Sequence, residues 1–544
     1  MKHIFLYGPP GSGKSTIGKE LAGLLELPFV DLDLEIEKSS GRSILQLMAE
    51  SEAVFRNLET SVLSRVVNET SRIIALGGGA LLRDENRHCV EENGEVIFLE
   101  ADLSTLVEYL SKDEIQRPLL ASDLKAKLNS LLQNRQEHYR SFTMRIHHSG
   151  QFIRELLKTP EEITYEILRK LNLLHAHTAN GNVYDVVVQP NGLVSLGGLM
   201  HARKLGNPVA VIADENVAGL YVERALISLQ TAGYDAHVLT FPAGESSKTI
   251  ETVTRLWQGM LDAGLERKST VVAFGGGVTG DLAGFAASTF MRGINWVGVP
   301  TTLLAMVDSS LGGKTGFDLP QGKNLIGSFH DPKLVLVDPQ FLTTLSRREI
   351  SAGMAEVAKH GMINDPELFR IVQLGWDFCK QHMLELISRA ISVKIRIIER
   401  DPSEQGVRAS LNLGHTIGHA VEAASGYKLL HGEAVAIGLV AETILAESLG
   451  IARPGLVNQI LPALSEMGLP VLIPNDIPGE EIIRAMRVDK KKASGMVRFT
   501  LPVKIGEVKV GFEISDLKAA LDLCSHTRVI NYISDGQYSK MAGK

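Results

Sequence analysis

Apolar residues follow two rhythms along this chain. From residue 3 to about 170, short apolar runs (HIFLYG, FVDLD, RIIALGGG, VIFLE) alternate with stretches such as the one placing Ile17, Leu21 and Leu24 on one face. Short runs bounded by turn residues predict strands, and helical spacing predicts helices, so this part predicts a parallel sheet with flanking helices. At 171–182 the text becomes LNLLHAHTANGN, a polar stretch with Asn and Gly that predicts a linker. From 183 to about 339 the alternation returns in YDVVVQ, PVAVIADEN, AHVLTFPAG, STVVAFGGG, INWVGVPTT and LVLVD, which predicts a Rossmann-like α/β half. Beyond 340 strand patterns nearly vanish, and DFCKQHMLELISRAISVKIRIIER and HGEAVAIGLVAETILAESLG predict an α-helical half reaching to about 525, with 526–544 as a tail. The cleft between the two halves is the expected place for a site.

Bulk properties narrow the class. At 544 residues several folding units are expected, since domains usually run about 100–200 residues. A net charge of −7 without a long basic block gives no electrostatic support for a nucleic-acid or membrane partner. Cys89, Cys379 and Cys524 are too few and too scattered for a disulfide framework or a thiolate metal site, which fits a reducing cytoplasm. The longest largely apolar stretch, Trp296 to Val307, is well short of the ~20 residues a membrane helix needs.

The first chemical signal is Gly8-Pro-Pro-Gly11-Ser12-Gly13-Lys14-Ser15, a G-x-x-x-x-G-K-[ST] loop between a predicted strand and a predicted helix. Its amides converge on phosphate oxygens, Lys14 reaches the β/γ-phosphates and Ser15 holds Mg²⁺. Asp31 and Asp33, two apart at a strand end, are expected to share a face toward that loop, although turn carboxylates alone read the same way. Arg56 and Glu59 stand at i,i+3, the spacing of an ordinary surface ion pair. Gly77-Gly78-Gly79 suits either a tight turn or a close approach to ligand.

Together these residues resemble the shikimate kinase family over about 1–170. The resemblance implies ATP on Gly11, Ser12, Gly13, Lys14, Ser15 and Thr16, with Mg²⁺ on Ser15 and Asp31. It also implies a lid Arg117-Pro118-Leu119, whose Arg117 touches ATP and joins Lys14 and Asp33 in catalysis. Shikimate is implied to lie among Asp33, which binds the acceptor hydroxyl, Arg56, which grips the carboxylate, Gly77, Gly78, Gly79 and Arg135. Phosphoryl transfer needs charge neutralisation and alignment, which this set supplies.

The second signal begins at Gly275-Gly276-Gly277-Val-Thr-Gly280-Asp281, a strand–glycine–helix turn able to cradle a pyrophosphate without being G-x-G-x-x-G. Asp214, Asn216, Glu245 and Lys248 follow strands where a doubly wound sheet places binding loops. In the helical half, His415 and His419 at i,i+4 suggest two metal ligands on one face, with His431 and Glu356 nearby. Arg292, Lys314, Lys323, Lys394, Arg408, Lys490 and Lys491 are candidate anion partners, with Lys314 and Lys323 in glycine-rich turns.

Residues 183 to about 520 resemble the 3-dehydroquinate synthase family. The resemblance implies zinc or cobalt on Glu356, His415 and His431, which moves His419 from the ligand set to the substrate site. It implies NAD on Asp214, Asn216, Glu245, Lys248, Gly276, Gly277, Asp281, Thr301, Thr302, Asp308 and Lys323. Its implied sugar-phosphate site comprises Arg292, donated across a homodimer, with Lys314, Asn324, Lys394, Arg408, Asn412, His419, Lys490 and Lys491. Of these, Lys314, Lys394 and His419 are the implied catalytic groups. The implied reaction is transient oxidation of a heptulosonate phosphate, phosphate loss, reduction and ring closure to 3-dehydroquinate.

Several rival readings compete with these. The second half could be a polyol dehydrogenase or another sugar-phosphate cyclase. Lys314, Lys394 and Arg408 argue against the first, which needs no phosphate pocket, and Asn412 with His419 argues against the second. Gluconate-type or nucleoside monophosphate kinases are disfavoured by Asp33, Arg56 and the Gly77 triplet occurring together. A non-enzymatic scaffold predicts broken motifs, and none is broken.

Overall fold

The computed structural model describes residues 2–112, 124–149, 157–171, 173–177, 183–401, 406–489 and 496–524. Arg117, Lys490, Lys491 and the 526–544 tail lie outside them. The chain forms two compact units, Met1–Leu171 and Asn172–Lys544.

In the first unit β1 (His3–Tyr7), β2 (Phe29–Asp31), β3 (Ile73–Ala75), β4 (Gly94–Glu100) and β5 (Arg145–His147) form one sheet in the order β2-β3-β1-β4-β5, all parallel. β1 is central and all five of its residues are buried, which explains why it reads as an unbroken apolar run. β5 is three residues long with only Ile146 fully buried, too short to register as a pattern. Asp33 does not continue β2. The strand ends at Asp31, whose side chain caps the helix Leu32–Ser40 by accepting from Asp33 N, so Asp33 sits in the first helical turn.

The second unit holds a seven-stranded sheet built from β6 (Leu174–His177), β7 (Val183–Val188), β8 (Val209–Asp214), β9 (Ala236–Phe241), β10 (Thr270–Gly275) and β11 (Asn295–Pro300), together with β14 (Leu334–Val337). Its order is β6-β7-β14-β11-β10-β8-β9, parallel throughout except for β6. The expected 171–182 linker is therefore corrected in part, because Leu174–His177 is an edge strand antiparallel to β7. His175 is its cross-strand partner for Asp185, with the side chains 2.5 Å apart. A hairpin of β12 (Lys314–Leu319) and β13 (Gly322–Phe329) follows β11. Lys314 and Lys323 thus lie on strands, not in turns. A second hairpin, β15 (Val497–Lys504) with β16 (Glu507–Ile514), interrupts the helical half where few strands were expected.

The helix Met383–Arg400 buries every residue from Leu386 to Ile398, including Arg389, Lys394 and Arg396. Arg389 spends its donors on Asp365, Glu367 (2.6 Å) and Glu385 (2.6 Å), so the cation enters the core already paired. No described helix is long and apolar enough to cross a membrane.

Candidate functional sites

In the first unit the loop Gly8–Gly13 folds back over its lysine. Lys14 Nζ donates to the carbonyls of Gly8 and Pro9, each at 2.9 Å. The helix Lys14–Leu24 begins after Gly13 in the left-handed region (φ 72°), with no side-chain cap on its first amides. Uncapped amides at a helix start after a glycine loop are the arrangement that binds an anion. Ser15 Oγ donates to Asp31 Oδ2 at 2.6 Å, which joins the two residues expected at Mg²⁺.

The glycine triplet connects the remaining expected residues. A Cβ on Gly77 would lie 2.9 Å from Asp33 Oδ1, and one on Gly79 only 2.6 Å from Arg56 Nη2. The Gly78 carbonyl accepts from Arg135 Nη1 at 2.7 Å and from Tyr139 Oη at 3.0 Å. Close approach, not merely a turn, is thus what requires glycine here. Arg56 and Glu59 are no surface pair: Glu59 is fully buried and its Oε2 accepts from Arg56 Nη1 at 2.7 Å. Burial pushes the Glu59 carboxyl up, against the pull of Arg56.

In the second unit Asp214 ends β8 and caps the next helix through Asn216 N and Val217 N, with Thr279 Oγ1 3.5 Å from its other oxygen. β8 and β10 are neighbours whose connections leave in opposite directions across the sheet, so Asp214 and Gly275–Gly277 flank a switch-point crevice. The helix Gly277–Thr289 also starts without a side-chain cap. A Cβ on Gly276 would meet Thr302, and one on Gly277 would meet Ser309. Lys248 is buried and bonds Asp281 Oδ2 and Asn324 Oδ1, both at 2.6 Å. Lys323 Nζ lies 3.3 Å from Glu245 Oε1 and 3.1 Å from Glu422 Oε1.

The histidine cluster rests on close helix packing. Gly438 passes so near Gly414 O, and Gly432 so near Ala352 O, that a Cβ at either would fall 1.8 Å from the carbonyl. Glycines in LNLGH and HGEAVAIG therefore let the helices His415–Ala424, His431–Ser448 and Arg347–Asn364 converge. His415 Nε2 and His431 Nε2 lie 3.5 and 3.4 Å from Glu356 Oε1, an atom fully buried with no hydrogen-bond donor among the described residues. A buried carboxylate oxygen facing two imidazole nitrogens fits a divalent cation. The ring of His419 stands 4.9 Å from His415 and 5.4 Å from His431, so it joins the same cluster.

Electrostatics around the cluster follow from burial. Desolvation favours raising the Glu356 carboxyl, and the adjoining Lys359 ammonium overcomes it, leaving the group well below the usual range. His415 is pushed well down, by burial first and Lys359 second. His431 goes the other way, up to about 9, because the Glu356 and Glu422 carboxylates facing its two ring nitrogens outweigh burial. Asp308 receives Lys394 Nζ at 2.8 Å, with Lys359 and His360 within 3.9 Å. Burial alone favours raising its carboxyl, but the Lys394 and Lys359 ammonium groups hold it well down.

Arg408 is buried behind Gly312, while Lys314, Asn324 and Asn412 are exposed. Arg292 is also exposed, at a left-handed φ of 72° after the glycine-loop helix. The sequence reading missed Lys359, His360, Glu422 and Glu442. Lys359 is three residues beyond Glu356, and Glu422 three beyond His419, so helical spacing from the named ligands could have found both.

Residues 238–352 match the family described as 3-dehydroquinate synthase N-terminal, and 353–492 match 3-dehydroquinate synthase C-terminal. The 3-dehydroquinate synthase of Nostoc punctiforme is 46% identical over 340 residues, 61% of this chain and 93% of that protein. The chain belongs to the 3-dehydroquinate synthase family. Residues 10–172 match shikimate kinase, so a kinase unit precedes the synthase unit and the chain is a bifunctional enzyme of the shikimate pathway. Among solved structures, the synthase unit is similar to 2-epi-5-epi-valiolone synthase of Streptomyces hygroscopicus with NAD⁺ and Zn²⁺ bound. That match has 31% identity and a TM-score of 0.57, covering 63% of this chain and 96% of that one. A 2-deoxy-scyllo-inosose synthase complexed with carbaglucose-6-phosphate, NAD⁺ and Co²⁺ matches at 27% identity and TM-score 0.57, covering 64% and 98%.

Proposed function

We propose that the kinase site phosphorylates shikimate from ATP, and that the synthase site converts a heptulosonate 7-phosphate to 3-dehydroquinate and phosphate with NAD⁺ and a divalent metal. The observation carrying the second assignment is Glu356 Oε1 facing both His415 Nε2 and His431 Nε2. Those three residues would hold zinc or cobalt. Bound together, the metal supplies a Lewis acid for substrate hydroxyls and NAD⁺ a hydride acceptor.

The chain's own groups do the rest. Asp214, Glu245, Lys248, Asp281, Thr301, Thr302, Asp308 and Lys323 line the dinucleotide side, with Gly276 and Gly277 offering amides to its phosphates. Lys394 and Arg408, both buried, bring cationic charge toward a substrate with carboxylate and phosphate ends. Lys314, Asn324 and Asn412 add donors, and His419, beside the ligands but assigned to substrate, can hold a proton between hydroxyl and carbonyl stages.

In the kinase unit, Asp33 would orient the acceptor hydroxyl and take its proton, Arg56 and Arg135 would grip the carboxylate, and Ser15 with Asp31 would hold Mg²⁺. Glu59, buried and bonded to Arg56, aims that guanidinium.

A homodimer through the synthase unit is part of this reading. It is supported by exposed Leu325 and Phe329 on β13, apolar side chains that a second copy would cover. Three free cysteines support a cytoplasmic enzyme. The test is one preparation assayed for both activities. His415→Ala should abolish phosphate release from the heptulosonate phosphate and spare shikimate phosphorylation, and Lys14→Ala should do the reverse. Loss of both from either change refutes independent sites.

A further inference from the structure

Glu422 stands on the face of the helix His415–Ala424 that also carries His415 and His419, and its two oxygens have different partners. Oε2 lies 3.3 Å from His431 Nδ1, and Oε1 accepts from Lys323 Nζ at 3.1 Å. The side chain is only 8% exposed, so these contacts are made away from bulk water. Lys323 is shared in turn with Glu245 Oε1 at 3.3 Å, and its ammonium sits 4.5 Å from the Tyr427 ring centroid. On the far side of the imidazole, His431 Nε2 faces Glu356 Oε1 at 3.4 Å. One carboxylate therefore touches a metal-binding imidazole with one oxygen and a dinucleotide-binding lysine with the other.

Building on the metal and dinucleotide assignments above, we infer that Glu422 is a positioning residue that aims His431 and links metal affinity to dinucleotide occupancy through Lys323. Accepting Nδ1–H from His431 fixes the tautomer in which the Nε2 lone pair points at Glu356, and a carboxylate in that place strengthens the imidazole as a ligand. Lys323 competes for the same carboxylate. When the dinucleotide draws the Lys323 ammonium toward itself, Glu422 is left to His431 and accepts its N–H more strongly. The dinucleotide therefore tightens the metal, and by reciprocity the metal tightens the dinucleotide. Glu442, another buried acid between these helices, gives its oxygens to Gly414 N and Ile417 N.

The experiment titrates Zn²⁺ into metal-stripped full-length protein in competition with a chromophoric chelator, with and without saturating NAD⁺. Near-UV circular dichroism reports folding of each variant. In the unmodified protein NAD⁺ should tighten Zn²⁺ by about 5-fold or more. Glu422→Gln should weaken Zn²⁺ about 10- to 100-fold and bring the NAD⁺ effect down to nearly none. Lys323→Gln, which leaves Glu422 and His431 in place, should bind Zn²⁺ without NAD⁺ as tightly as the unmodified protein does with it, and carries the test if Glu422→Gln does not fold. Unchanged Zn²⁺ affinity in Glu422→Gln, an NAD⁺ effect that survives it, or weaker Zn²⁺ binding in Lys323→Gln overturns the inference. His415→Ala separates the two levels: if it binds Zn²⁺ normally, the metal assignment itself falls. If it loses Zn²⁺ while Glu422→Gln keeps both affinity and linkage, only the Glu422 role falls.

Discussion

Glu442 reaches across from the helix His431–Ser448 to Gly414, its Oε2 accepting from the glycine amide at 2.6 Å while Oε1 accepts from Ile417 N at 3.0 Å. Gly414 immediately precedes His415 in a left-handed turn and offers no side-chain cap of its own. A carboxylate on the neighbouring helix thus does the capping, and it ties the two histidine-bearing helices into one frame.

Glu442→Gln puts an amide in place of one acceptor facing a backbone N–H. The buried donor left without a partner should cost about 1–3 kcal/mol. Urea unfolding of the synthase unit should show the lowered midpoint, and a midpoint equal to the unmodified protein's would show that the cap carries little.

Arg389 lies in the fully buried stretch Leu386–Ile398 of its helix, among Asp365, Glu367 and Glu385. Replacing it by Ala leaves three carboxylates converging on one another, and breaking a buried pair in this way costs about 3–5 kcal/mol. Thermal unfolding should fall sharply in the synthase unit, with shikimate phosphorylation retained at temperatures where heptulosonate turnover has gone. Parallel loss of both activities would contradict it.

Gly79→Ala places a methyl 2.6 Å from Arg56 Nη2, an arginine already fixed by Glu59. The guanidinium has to move away from the pocket. The KM for shikimate should rise by about tenfold or more, equivalent to ~1.4 kcal/mol, with the KM for ATP nearly unchanged. Equal effects on both substrates would place Arg56 elsewhere in the reaction.

Asp185 on β7 anchors β6 through His175 and also accepts from Arg203, at the end of the helix Leu196–Ala202. Burial favours a higher value for its carboxyl, but the His175 hydrogen bond and the Arg203 charge lower it below the ordinary 3.8. A depressed carboxylate contributes stability that is present above its unfolded value and is lost as pH falls through the lower folded value. Asp185→Asn should therefore unfold earlier in urea at pH 7, and the difference from the unmodified protein should shrink as pH drops below about 4. A gap independent of pH would rule out the ionised carboxylate as its source.

Much of this was legible beforehand because it is local. The apolar runs at β1, β3, β8, β10 and β11 are buried on both faces, so their composition alone marked them. β5 and the β12–β13 and β15–β16 hairpins were not marked. The first is too short, and β13 and β16 leave most side chains partly or fully exposed, which removes the alternation that identifies a strand.

By itself the sequence determined the two glycine turns that open the helices Lys14–Leu24 and Gly277–Thr289, since a glycine loop between strand and helix needs only neighbouring residues to form. It also determined the helical spacing of His415 and His419. Only the tertiary structure decided that Glu356 Oε1 lies between His415 and His431, that Glu59 is buried under Arg56, and that Glu422 and Glu442 serve different ends. Apart from Arg56 and Glu59, three apart on one helix, those relations join residues whose separation along the chain carries no periodic signal. They exist because glycines 414, 432 and 438 let three helices approach until backbone meets backbone, a condition set by packing in space and not by any pattern along one strand or helix.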